Sequence, residues 1–174
     1  MKHSDVIALL NKKSACSEAT EWVESHRWTA KTLWNRCENG AWMLWIAARI
    51  GVDRKLLVRA ACACARESLK YVRAGEERPR VAIETTERWT RGEATIGEVR
   101  AAADAAADAA AAASYAAAAA DAAAAAAYAA DAAADARKQA RAESLKRSAE
   151  LVRGHIPYSA IAAAAEKGST DERG

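Results

Sequence analysis

The sequence predicts an all-α protein, and three observations support that prediction. Alanine makes up 28 of the 36 residues between Arg100 and Arg137, and alanine has the highest helix propensity because it loses no rotamer freedom. Neither Gly nor Pro occurs from Glu98 to Arg153. Elsewhere, apolar residues recur at helical spacing between Gly and Pro breaks. We therefore expect a single-domain multi-helix bundle whose longest helices are alanine-rich.

Capping residues and glycine breaks divide residues 4–92 into a series of tryptophan-rich helices. The predicted elements are a short helix capped by Ser4 or Asp5, then Ser17–Ser25, Thr29–Cys37, Trp42–Ile50, a longer helix capped by Asp53, and a helix from Pro79 to Gly92. Gly51 and Gly75 are predicted to end the helices before them. Asn39-Gly40 is the strongest predicted stop, because both residues tolerate the left-handed conformation that ends helices.

Residues 96–153 are predicted to form the alanine-rich helices, beginning at a capping box of Thr95 and Glu98. One straight helix of that length would span about 87 Å, whereas a compact domain of this size is about 40 Å wide. The polar face also turns abruptly along the tract, with Asp104, Asp108 and Tyr115 on one side and Asp121, Tyr128, Asp131 and Asp135 on another. We therefore expect two packed helices with a break between residues 114 and 121.

One proline and a polar tail predict the structure of the C-terminal part of the chain. Pro157 is predicted to open a short helix over residues 157–166. Residues 168–174 contain no large apolar side chain, and we expect them to be disordered. The predicted single domain therefore covers residues 1–167.

The charge distribution argues against nucleic-acid and membrane partners. Net charge is +5 over residues 1–100, −5 over 101–136 and +3 over 137–174, which gives the total of +3. A nucleic-acid-binding protein usually shows a basic stripe and a strongly positive total. Each Asp in the alanine tract would cost about 2.5 to 3.5 kcal/mol at a bilayer centre. With no secretory signal and no disulfide framework among four cysteines, the chain is expected to be cytoplasmic.

No residue pattern predicts catalysis, a cofactor or a metal. Cys62 and Cys64 would point about 200° apart on a helix, which prevents them from chelating one ion, and the cysteines are interpreted as buried free thiols. The histidines have no nucleophile motif beside them, and a Cys37–His26 pair is only a remote alternative. The aspartates of the alanine tract lack the Glu-x-x-His partners of di-iron bundles. We therefore expect a protein that is not an enzyme.

The tryptophans are the most informative side chains for binding. Five of the six fall between residues 22 and 45. Large rings can fill the space left by alanine, which is the favoured interpretation, or they can form an aromatic pocket or partner-binding hot spot. The candidate contact residues for a partner or ligand are Trp28, Trp34, Trp42, Trp45, Arg66, Arg78 and Arg80.

Three stretches resemble the alanine-rich family of bacterial immunity proteins. They are LWNRCENGAWMLWIAARIGVDR, AACACARESLKYVRAGEERPRVAIETTERWTRGEATIGEVRAAADAA and SAELVRGHIPYSAI, which together lie within residues 16–165. The resemblance implies a cytoplasmic, all-helical protein that binds and neutralises a toxin or effector in bacterial or phage conflict. It carries over no catalytic residue.

The predicted function is therefore a non-enzymatic immunity-type protein with a protein partner, and homo-oligomers through the alanine faces are a further expectation. Two alternatives stay open. One is a small-molecule-binding protein that sequesters a nucleotide signal between tryptophans and arginines. The other is a structural helical scaffold protein.

Overall fold

The computed structural model describes residues 1–107 and 130–171. All regular structure in these ranges is helical and no strand occurs there, which confirms the all-α fold class. The helices are α1 (His3–Lys12), α2 (Ser17–Ser25), α3 (Ala30–Arg36), α4 (Gly40–Arg49), α5 (Arg54–Ser68), α6 (Arg78–Arg91), α7 (described over 96–107), α8 (Ala130–His155) and α9 (Tyr158–Asp171), and Leu69–Tyr71 forms a 3₁₀ turn. The predicted break between residues 114 and 121 lies outside the described residues.

Local signals at the ends of α3, α6 and α7 agree with the helix ends that the sequence predicts. The Thr29 hydroxyl accepts a hydrogen bond from the backbone N–H of Thr32 at 3.3 Å, which places Thr29 as the N-cap of α3. At the start of α7, Glu98 Oε2 accepts from the Thr95 backbone N–H at 2.7 Å, and Thr95 Oγ1 accepts from the Glu98 N–H at 3.2 Å. Gly92 ends α6 in the left-handed conformation, at φ 82°. These signals involve residues within five positions of one another, so the sequence contains them in full.

Four predicted boundaries are wrong. Helix α5 ends at Ser68 and the 3₁₀ turn Leu69–Tyr71 follows it, so Gly75 does not end this helix. Helix α1 begins at His3, before Ser4, and Asp5 accepts from the backbone N–H of Lys2 as the third residue of the helix. Asn39-Gly40 begins a helix instead of ending one. Helix α9 continues to Asp171, beyond the predicted end near residue 166.

Asn39 and Gly40 have different roles from those that their dipeptide suggests. Asn39 Oδ1 accepts from the backbone N–H groups of Ala41 and Trp42, at 3.1 and 3.2 Å, and thereby caps α4. Gly40 is buried, and a Cβ atom there would lie 2.5 Å from the carbonyl carbon of Ser148 in α8. Glycine is therefore needed because the backbones of α4 and α8 approach closely, not because the chain turns.

The chain divides into two compact units. Unit 1 comprises residues 1–61 and 143–174, and unit 2 comprises residues 62–142. The boundary falls inside α5, so this helix contributes its first half to unit 1 and its second half to unit 2. The single domain over residues 1–167 stays a prediction.

Unit 1 has an apolar interior formed by residues from both ends of the chain. Val152 and Ile156 of the C-terminal part have no exposed surface, and Met43 of α4 is 2% exposed. The Trp34 indole N–H donates to the carbonyl oxygen of Ile156 at 3.2 Å, 122 residues away. Arg153 Nη1 donates to the Cys37 carbonyl oxygen at 2.6 Å, at the end of α3. These contacts hold α8 against α3 and α4.

Unit 2 is joined by polar contacts at the surface of its described residues. Arg66 in α5 forms a two-bond ion pair with Glu87 in α6, at 2.8 and 2.7 Å. Cys62 and Ile83 are its buried apolar residues where side chains are described, together with buried Thr90. The Thr90 hydroxyl donates to the Glu87 carbonyl oxygen one turn earlier in α6, at 2.7 Å.

Candidate functional site

An apolar cavity of about 350 Å³ lies inside unit 1. Helices α1 to α4 form most of its wall, and Tyr158 and Ile161 of α9 complete it. Exposed residues Met1, Ser14 and Cys16 line it together with buried core residues, so the cavity connects the interior to the surface. Its volume falls within the range of small-molecule sites, which is about 300 to 1,000 Å³.

The described lining of this cavity contains no charged side chain. Its residues are Met1, Val6, Leu9, Leu10, Ser14, Ala15, Cys16, Ala19, Trp22, Val23, Ala30, Leu33, Trp34, Cys37, Trp42, Met43, Trp45, Ile46, Ile50, Tyr158 and Ile161. An ionised ligand would lose its hydration there without gaining an opposite charge, which is costly. The cavity is therefore suited to uncharged, apolar groups.

Two of the lining tryptophans, Trp22 and Trp42, belong to a cluster of aromatic rings that extends away from the cavity. Trp22 lies at the centre of this cluster, with ring centroids 6.2 Å from Trp28 and 6.3 Å from Trp42. The His26 ring packs 4.9 Å from Trp22 and 4.3 Å from Trp28. A hydrogen bond of 2.7 Å between His26 Nδ1 and the Trp22 carbonyl oxygen fixes this ring at the end of α2. Trp22 and Trp42 are the members of this cluster that contribute aromatic surface to the cavity.

The four candidate tryptophans occupy different positions. Trp34, Trp42 and Trp45 line the cavity, whereas Trp28 is absent from its lining. Trp34 is 6% exposed, so a ligand could reach it only from inside the cavity. Trp42 and Trp45 are half-buried. Whether any of these rings contacts a ligand or partner stays a prediction.

Two cation–π contacts stiffen the outer side of this region. The Arg36 guanidinium lies 5.3 Å from the centroid of the Trp28 ring, and that of Arg49 lies 5.5 Å from Trp45. Contacts of this kind at exposed sites contribute about 0.5 to 1 kcal/mol.

The three candidate arginines belong to unit 2, where each forms an ion pair. Arg66 binds Glu87, Arg78 binds Glu76, and Arg80 binds Glu77. The side-chain hydrogen bonds from Arg78 lower the pKa of Glu76 to about 2. These guanidinium groups are already neutralised by carboxylates, so an anionic ligand would have to compete with them.

The cysteines are only partly as predicted. Cys37 and Cys62 are buried, Cys64 is half-buried and Cys16 is exposed, so the prediction of buried thiols is wrong for Cys16. Burial raises the pKa of Cys37 and of Cys62. A raised pKa disfavours the nucleophilic thiolate.

The Cys37–His26 pair considered from the sequence is not formed. The Cys37 thiol contacts the backbone of Asn39, donating to its carbonyl oxygen at 3.6 Å. His26 instead bonds within its own turn, to the Trp22 carbonyl and the Ser25 hydroxyl. Each group is thus committed to local backbone or side-chain partners.

Several residues of the cavity were not singled out from the sequence. They include Trp22 of the aromatic cluster, the exposed thiol of Cys16, and the apolar side chains Leu33, Ile46 and Ile161. Apolar periodicity marks such positions as core but cannot show that a core contains an open space. Only the packing of α9 against α1 to α4 creates the cavity.

Over the described residues, no group of three or more His, Cys, Asp or Glu side chains is placed to hold a metal ion. In the same part of the chain, no helix is both long and apolar enough to cross a membrane.

Comparisons with known proteins give one match. No curated protein and no solved structure matches the chain. A family model described as Imm-5 like putative immunity protein matches residues 51–143, which is more than half of the 174 residues. The match includes the stretches around Cys62–Arg66 and Arg78–Thr95 that carry the resemblance noted above. The chain therefore belongs to the Imm-5 like putative immunity protein family.

Proposed function

We propose that this protein is an immunity protein that binds a protein toxin or effector and neutralises it without catalysing a reaction. The observation that carries the proposal is the family match over residues 51–143. This segment nearly coincides with unit 2, residues 62–142. We therefore expect unit 2 to contain most of the features that members of the family share, including the surface that recognises a partner.

The exposed face of α6 is the best-supported contact surface within that segment. Helix α6 carries four arginines and two glutamates, for a net charge of +2. Val81 is 48% exposed. It shares the outward face of α6 with Arg78, three residues before it, and with Arg88, seven residues after it. Ile83 and Thr90 lie on the opposite, buried face.

An exposed apolar side chain surrounded by arginines has the composition of a binding hot spot. Arginine is enriched in such places, and apolar residues form the dry centre of an interface. Because Arg78 and Arg80 are paired with Glu76 and Glu77, this surface carries charges of both signs and would favour a partner whose charges are complementary to them. We therefore assign Val81 as the apolar centre of the contact, with Arg78 and Arg88 of the same face and the adjacent Arg80 as its charged rim.

A nucleotide-sequestering function has less support. It would require arginines and tryptophans around one anionic ligand. The candidate arginines form ion pairs with glutamates in unit 2, and the cavity of unit 1 has no charged side chain among its described lining residues. Neither arrangement favours a phosphate.

Co-expression with the product of the adjacent gene tests the proposed function. We expect the wild-type protein to restore growth of a bacterial host in which that product is toxic, and to co-elute with it in size-exclusion chromatography. Arg80→Glu combined with Val81→Asp should raise the dissociation constant at least tenfold, because loss of a hot spot costs about 2 kcal/mol or more.

The matched control is Arg27→Glu, an exposed arginine of unit 1 outside the family segment. It should leave binding unchanged. Continued toxicity in the presence of the wild-type protein, with no complex formed, would contradict neutralisation. Binding that is equally strong in both variants would instead move the contact away from α6.

A further inference from the structure

We infer that the cavity of unit 1 is a binding site for an uncharged, apolar small molecule, such as one with a medium-length alkyl chain. Protein interiors seldom contain voids larger than a water molecule. A space of about 350 Å³ is therefore a specific feature of how α1 to α4 and α9 pack. All the lining residues lie outside the segment that matches the family, residues 51–143, and the inference does not depend on the neutralisation of a toxin.

The volume sets the size of the ligand. An apolar cavity of about 150 Å³ holds benzene, so by proportion a cavity of about 350 Å³ holds about fourteen non-hydrogen atoms. A molecule of that size would be held between α1 to α4 and α9 and would stay accessible to solvent at the end lined by exposed Met1. A flat protein surface could not fill a space that extends from exposed Met1 to buried Met43.

The lining sets the chemistry of the ligand. Four tryptophans and aliphatic residues such as Leu33 and Ile161 line the cavity together; the tryptophans are Trp22, Trp34, Trp42 and Trp45. None of the described lining side chains is charged, so the ligand should be uncharged where it contacts them. The Ser14 hydroxyl and Cys16 thiol are at the exposed end, where a single polar group of the ligand could stay near water.

The positions of the tryptophans allow binding to be measured by the quenching of tryptophan fluorescence. Four of the six tryptophans line the cavity, and Trp28 and Trp89 do not. We would titrate the full-length protein with 10-bromodecan-1-ol, an uncharged probe of suitable size whose bromine quenches nearby indoles. The expected result is partial, saturable quenching with one-to-one stoichiometry, confirmed by calorimetry below the solubility limit of the probe.

Two substitutions test whether the probe occupies the cavity. Ala19 in α2 and Ala30 in α3 are buried and line it. Ala19→Leu and Ala30→Leu each extend a side chain into the space. Either substitution should raise the dissociation constant of the probe at least tenfold. The matched control is Ala48→Leu, because Ala48 is exposed on α4 and is not part of the lining. It should bind the probe like the wild type.

The outcomes decide the proposal. Saturable binding by the wild type that is lost in either folded cavity variant supports it, and circular dichroism establishes that the variant is folded. Absence of saturable quenching in the wild type overturns it without any variant. Equal binding by the wild type and a folded cavity variant also overturns it, since the probe would then lie elsewhere. If the protein neutralises a toxin but does not bind the probe, only this inference fails.

Discussion

In unit 1, buried apolar side chains join helices that are far apart in the sequence, whereas in the described part of unit 2 an arginine–glutamate pair joins α5 to α6. Unit 1 buries Met43, Val152 and Ile156 almost completely. Unit 2 instead shows the Arg66–Glu87 pair between α5 and α6. Apolar burial contributes about 25 cal/mol per Å², while exposed ion pairs contribute about 0 to 1 kcal/mol each. Equivalent substitutions should therefore lower the free energy of unfolding much more in unit 1 than in unit 2.

The largest expected effect is that of Met43→Ala in unit 1. Met43 is 2% exposed and lines the cavity, so truncation removes contacts and enlarges an existing space. We expect the free energy of unfolding to fall by about 2 to 5 kcal/mol, measured by urea denaturation. The control in unit 2 is Val81→Ala, which should change it by about 0.5 kcal/mol or less, because Val81 is 48% exposed. Similar losses in both variants would contradict the comparison.

The second-largest expected effect comes from replacing two glycines that differ in the space around them, Gly40 and Gly97. At Gly40 an added Cβ would lie 2.5 Å from Ser148 and 2.6 Å from the Ala149 nitrogen, and the backbone of α8 cannot move aside freely. Gly40→Ala should therefore lower the free energy of unfolding by about 1 to 3 kcal/mol. In unit 2, a Cβ at Gly97 would meet only the Thr95 hydroxyl, at 3.7 Å.

Gly97→Ala should consequently raise the stability by up to about 1 kcal/mol, since alanine loses less backbone entropy in a helix. Thermal unfolding of the two variants measures the difference. If Gly40→Ala were as stable as the wild type, α4 and α8 could not approach as closely as described.

The smallest effect concerns the ion pair of unit 2 and depends on pH. The hydrogen bond from Arg66 lowers the pKa of Glu87 from its ordinary value of 4.5. A lowered pKa in the folded state stabilises the protein above the ordinary value, and this stabilisation is lost as the pH falls through the lowered one. Glu87→Gln should therefore cost about 0.5 to 1 kcal/mol at pH 7.

The difference between the wild type and Glu87→Gln should shrink below pH 4.5 and vanish at more acidic pH. Denaturant titrations at pH 7 and at pH 3 measure it. Glu84→Gln is the control, because Glu84 is 47% exposed and 4.0 Å from Arg80, so a smaller loss is expected at pH 7. A loss for Glu87→Gln that does not change with pH would point to packing instead of charge.

Much of the fold was predictable because its signals are local. Helix α2 has the predicted bounds, Ser17–Ser25, and Asp53 caps α5 by accepting from the backbone N–H groups of Lys55 and Leu56. The family resemblance was likewise contained in short stretches of sequence, and the match over residues 51–143 confirms it. The partner, its neutralisation and the contact residues stay predictions.

The cavity was less predictable. The sequence marked Trp34, Trp42 and Trp45 as either core or binding residues, and apolar spacing could not distinguish the two. The cavity requires α9 to pack beside α1 to α4, with Tyr158 and Ile161 placed more than a hundred residues from those helices. No local pattern specifies that packing.

The sequence by itself determined the helical class, most helix ends and the family, because propensity, capping and motif spacing act over a few residues. Only the tertiary structure decided why residue 40 is glycine, which tryptophans line a cavity and which carboxylate neutralises Arg66. Each of these depends on a contact between side chains or backbones distant in the sequence, as when Ser148 approaches Gly40. Such contacts arise from the packing of whole helices, whose geometry no short stretch of the chain contains.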